Sequence, residues 1–136
     1  MLGVSKYSPE YIAATRKSIN AQVKAYDQVA KAADGAGPAL ESFEHVFFNN
    51  MVLVLEQHFV HRLRTGEGKD GNPMNESRVI AGSLIENGGR MLADKQIRFK
   101  NGSLLGYEPG DEIKLSKSDF QKLAKGFLAG IEEKFS

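Results

Sequence analysis

The chain has 136 residues, 18 lysines and arginines against 17 aspartates and glutamates, a net charge of +1 and no cysteine. That length suits a single domain, 1–136, whose core needs no metal or disulfide staple. Without cysteine there is no disulfide scaffold, thiolate metal site or thiol nucleophile.

The charge is also evenly spread: residues 1–38 hold five basic and three acidic groups, 39–65 two and three, and 66–136 eleven of each. No segment is charged like a nucleic-acid or membrane-surface module, so neither partner is expected. The start, MLGVSKYSPE, carries no apolar signal core, and the longest apolar stretch, Val46 to Leu55, is interrupted by Asn49 and Asn50. A membrane span needs ~18 uninterrupted apolar residues. A soluble cytoplasmic protein is the expectation.

Ser8-Pro9-Glu10 reads as a helix start, because serine can accept from free backbone N–H groups, proline suits the first helical position and glutamate complements the dipole. Apolar residues then recur at helical spacing from Ile12 to Ala33, which predicts a first helix over 8–34. The cluster Asp34-Gly35-Ala36-Gly37-Pro38 stops it and reverses the chain. A central second helix is predicted over 39–65, antiparallel to the first. It is apolar nearly all the way round yet contains all three histidines. Such a helix should run through the middle of the domain. His45, Asn49, Asn50 and Glu56 are then buried polar candidates that need hydrogen-bond partners.

Thr65 to Asn72, TGEGKDGN, has three glycines and no apolar residue and reads as a loop. Asn72-Pro73 opens a third, shorter helix over 72–87, closed by Asn87-Gly88-Gly89. The period then changes. Gln96 to Lys100 alternates, Asn101-Gly102 favours a two-residue turn, and Ser103 to Tyr107 can return. Ile113 and Leu115 can supply a third strand. A small antiparallel hairpin or three-stranded meander over 95–115 is therefore expected. Ser116 with Asp119 resembles a capping box, and Phe120, Leu123, Phe127, Ile131 and Phe135 mark an amphipathic helix over 117–135. The fold class expected is mainly helical α+β.

His58 and His61, three residues apart, could chelate a divalent ion. They sit in no His-Glu-x-x-His arrangement, so no metal site and no cofactor are expected. GEGKDGNP resembles a phosphate loop in composition, but no Ser or Thr follows its lysine and a helix, not a strand, precedes it. What remains is a polar cluster, Lys69, Asp70, Asn72, Asn75, Glu76 and Arg78, set against His61, Arg62 and Arg64 across the loop. It reads either as a capped turn with surface ion pairs or, with His58 and without Glu76 and Arg78, as a set of ligand candidates. It is the one place where the sequence offers cations and a helix N-terminus to a small anion or other ligand. No nucleophile elbow, dinucleotide fingerprint or kinase motif is present.

The stretch FFNNMVLVLEQHFVHRLRTGEGKDGNPMNE, Phe47 to Glu76, resembles a segment of a family of short actinobacterial proteins of similar length and order of elements. The resemblance implies the element order and no activity. The function expected is a non-catalytic interaction or structural protein that self-associates, as a dimer. The apolar circumference of helix two leaves more surface than three other helices cover. Its rival is a small-molecule or anion-binding protein or enzyme with a pocket between the end of helix two and the 65–76 loop.

Overall fold

A computed structural model describes residues 3–34, 37–99 and 102–136. Among them lie five helices: α1 (Pro9–Ala32), α2 (Gly37–His58), α3 (Arg64–Glu67), α4 (Pro73–Glu86) and α5 (Lys117–Phe135). No helix among the described residues is long and apolar enough to cross a membrane.

Three of these helices begin on side chains that serve their own first turn. Ser8 Oγ accepts from Tyr11 N at 3.1 Å. Asn72 Oδ1 accepts from Met74 N and Asn75 N at 2.9 and 3.2 Å. Ser116 and Asp119 form a reciprocal box, each side chain accepting from the other's backbone N–H at 3.1 Å. These bonds satisfy donors that a helix start otherwise leaves free.

The core forms where α2, α4 and α5 pack on one another, with α1 lying against α2 and α5. α2 contributes Phe48, Met51, Val52 and Leu55, with Phe59 just beyond its end, and α5 answers with Phe120, Leu123, Phe127 and Ile131. α1 runs antiparallel to α2. Near its C-terminal end Tyr26 stacks on Phe43 and Phe47 and meets Phe48 edge-on, and near its start the Tyr11 hydroxyl donates to the His58 carbonyl at 2.5 Å.

Three expectations are corrected. Helix two, expected over 39–65, ends at His58. The N-terminal segment takes the chain from there: Val4 N donates to His61 O at 2.7 Å and Leu63 N to Val4 O at 2.8 Å, an isolated parallel bridge. The four-residue α3 then forms inside what reads in sequence as loop.

The expected α+β class is also overturned, because 95–115 forms no hairpin or meander and no strand occurs among the described residues. Lys100 and Asn101, the latter half of the expected turn, lie outside the described residues. On either side of them, groups that would pair between strands are held by helices or by other partners. Leu104 N and Leu105 N donate to the Glu76 carboxylate of α4 at 2.7 and 2.9 Å. Asn49 of α2 donates to Ile113 O at 2.9 Å and accepts from Leu115 N at 3.0 Å. Arg98 N donates to Lys69 O at 2.9 Å. One isolated antiparallel bridge joins Glu112 to Arg90, which lies outside the expected sheet.

Candidate functional site

Because α2 stops at His58 and the chain turns, the Arg62 side chain swings into the interior, where it is 0% exposed. A guanidinium has five N–H donors in a planar fork. All five are engaged. Nε donates to Glu67 Oε1 at 2.6 Å. Nη1 donates to Glu56 Oε2 at 3.2 Å and Phe59 O at 3.1 Å. Nη2 donates to Glu56 Oε1 at 2.9 Å and Met74 O at 3.2 Å. The guanidinium carbon also lies 4.9 Å from the centre of the Phe127 ring, a cation–π contact.

Glu67, the last residue of α3, is the hub on the other side. Besides Arg62, its carboxylate accepts from Arg78 Nη2 at 2.7 Å and from Asn75 Nδ2 at 2.5 Å, and its carbonyl accepts from Asn72 Nδ2 and Lys134 Nζ at 2.8 and 3.2 Å. Burial alone would raise its carboxyl pKa, but the Arg78 and Arg62 guanidiniums and the Asn75 amide outweigh burial and hold it below the ordinary value. For Arg62, burial acts to lower its pKa, and Glu56 and Glu67 overcome that and raise it. Three cationic side chains and two amides, from α4, α5 and the turns before α3 and α4, thus close on one carboxylate and its carbonyl. Asn75 completes the closure by accepting from Gly71 N at 3.0 Å.

Of the residues that sequence grouped as ligand candidates, the structure brings Arg62, Asn72 and Asn75 together around Glu67. His58 is half-buried and its Nδ1 lies 2.9 Å from Val54 O, one turn back in its own helix. His61, Arg64 and Lys69 are exposed. Asp70 is exposed and holds Asn72 through its Oδ1. The Asn72 amide keeps its pKa low, helped by Lys134. The first N–H groups of α4 are already occupied, by Asn72 Oδ1 and by the Asn72 carbonyl, which takes Glu76 N at 3.0 Å. An anion arriving here would find neither a free Arg62 donor nor a free helix start.

The buried polar candidates divide similarly. Glu56 is buried on Arg62, Asn49 holds the 113–115 backbone, and His45 Nδ1 lies 3.2 Å from Leu115 O. Asn50 is exposed, with its Nδ2 donating to Val46 O at 3.0 Å. Among the described residues no three His, Asp or Glu side chains converge on a metal position.

Glu67 is the residue of this network that sequence reasoning missed. It stands in a segment with no apolar period, and a four-residue helix is too short to show one. The largest cavity described, about 490 Å³, lies elsewhere, along the α1–α5 junction with Ile19, Val23, Phe120 and Leu128 in its floor and the Arg16–Glu132 ion pair at its edge.

No protein-family model, no curated protein and no solved structure matches this chain. The reading of its function therefore rests on its own residues.

Proposed function

We propose that this chain is a non-catalytic interaction or structural protein of the cytoplasm that self-associates as a dimer. The observation that carries the reading is the outward side of α2, where Val46 is 60% exposed and Phe43 43% exposed although both belong to the most apolar helix of the chain. Exposed apolar side chains of this size, grouped on one helix, favour association over solvation. The balanced net charge of +1 adds little repulsion between copies. The rival reading, a ligand pocket at the end of α2, loses Arg62, Asn72 and Asn75, which are engaged with Glu56 and Glu67.

Sedimentation velocity at micromolar concentration tests the proposal. A species of twice the chain mass is expected. A single monomeric boundary across the concentration range overturns it.

A further inference from the structure

α1 and α5 run antiparallel, and two ion pairs tie them across the space between. Lys117 Nζ meets Asp27 Oδ1 at 2.8 Å toward the end of α1, and Arg16 pairs with Glu132 nearer its start. Asp27 and Arg16 are eleven residues apart, about 16 Å along a helix at 1.5 Å per residue. Between the two pairs lies the cavity of about 490 Å³, a volume within the usual range for small-molecule sites.

The cavity has a cause in the sequence. Phe120, Ala124 and Leu128 recur every fourth residue on one side of α5, so an alanine occupies the middle of a row whose other members are large. Ile19 and Val23 of α1 stand opposite. All five line the cavity and are at most 6% exposed, which makes its floor apolar and firmly packed from behind.

Charge and shape together single out the occupant. Among the described residues, three charged side chains line the cavity: Arg16, Glu132 and Lys125. The first two neutralise each other, whereas Lys125 is exposed and forms no ion pair among the described residues. The lining therefore carries one uncompensated positive charge, joined by the amides of Asn20 on α1 and Gln121 on α5, the latter one turn before Lys125. The ion pairs at the two ends bridge the helices, so a partner helix or an extended peptide cannot lie along the floor without breaking them. A short molecule with an apolar tail and one anionic group fits between them.

We propose that the α1–α5 cleft binds a small aliphatic monocarboxylate, its tail on the floor at Ala124 and its carboxylate on Lys125. The tail gains by leaving water, and the head gains a charge-assisted hydrogen bond. The site is separate from the network around Glu67 and does not depend on self-association, so the sedimentation result leaves it untouched.

The test uses the full chain and decanoate below its micelle concentration, read by methyl NMR at Ile19, Val23 and Leu128. Saturable shifts, largest at these methyls, are expected. Acetate, which has the head alone, and decyltrimethylammonium, which has the same tail under the opposite charge, should each bind about tenfold or more weakly. Lys125→Glu should weaken decanoate by a similar factor and strengthen decyltrimethylammonium. Lys31→Glu, the same charge change at an exposed position in the last turn of α1, should alter neither. Ala124→Leu should fill the cleft and abolish both. If that variant fails to fold, the two lysine variants decide. No saturable shift in wild type, equal binding of decanoate and decyltrimethylammonium, or decanoate binding unchanged in Lys125→Glu overturns the proposal.

Discussion

Arg62 Nε and Glu67 Oε1 meet at 2.6 Å with both side chains at most 1% exposed. An ion pair so deeply placed stabilises little relative to apolar residues of the same shape, but removing one partner leaves the other charged and buried. Arg62→Ala would take from Glu56 its guanidinium partner and leave Glu67 with Arg78 and Asn75 alone. A loss of about 3–5 kcal/mol is expected, seen as a fall in thermal midpoint of roughly 10 °C or more. Arg62→Lys should recover little of it, since an ammonium has three donors and cannot reproduce the planar fork. A midpoint within about 2 °C of wild type for either variant would contradict the network.

The same carboxylate gives a pH dependence with a definite sign. Glu67 is held below its ordinary pKa by Arg78, Arg62 and Asn75 against the opposing effect of burial. A carboxyl depressed in the folded state contributes fully above its unfolded pKa and loses that contribution as pH falls through the folded one. Thermal midpoints should hold from neutral pH to about pH 5 and then decline below about pH 4. Glu67→Gln should melt lower at pH 7 and show a shallower decline in acid. Parallel curves for the two proteins would remove Glu67 as a source of acid sensitivity.

Asn49 and Glu76 hold extended backbone in place of a neighbouring strand. Asn49→Ala deprives Ile113 O and Leu115 N of their partners and should cost about 1–3 kcal/mol. Amide exchange read by NMR should quicken at Leu115. Glu76→Ala should do the same at Leu104 and Leu105 without touching Leu115. A sheet in solution would instead leave all three amides protected in both variants.

Two glycines separate backbone necessity from backbone liberty. Gly71 has φ +86°, and a Cβ there would sit 2.5 Å from Phe99 Cα and 2.8 Å from Arg98 O. Gly71→Ala should destabilise by about 2 kcal/mol or more through clash and strained φ. Gly82, inside α4, has open space around its Cβ position. Gly82→Ala should stabilise by about 0.5–1 kcal/mol, since alanine loses less conformational entropy in a helix. Denaturant midpoints with unchanged m-values would read both effects.

The sequence by itself determined those features whose causes lie within one helical turn. The starts of α1, α4 and α5 are local chemistry: Ser8, Asn72 and Ser116 each accept from a backbone N–H at most three residues on. The apolar row of α5 from Phe120 to Phe135 is likewise a property of spacing, and all of it is buried. Tertiary structure alone decided the rest. α2 ends where Tyr11 and Val4 reach the chain at His58 and His61, and that turn carries Arg62, grouped in sequence with the ligand candidates, into the core. Alternation over 96–100 and the apolar pair Ile113 and Leu115 make a strand only if another strand offers its N–H and C=O groups. Here Asn49, 64 residues from Ile113 in sequence, and Glu76, 28 from Leu104, occupy those positions instead. Glu67 shows no pattern because its role depends on Arg62 arriving from the turn after α2 and on Asn75 and Arg78 arriving from α4. The hydrogen-bonding demand of a backbone segment is written locally, but which group meets it is settled by what packing brings near.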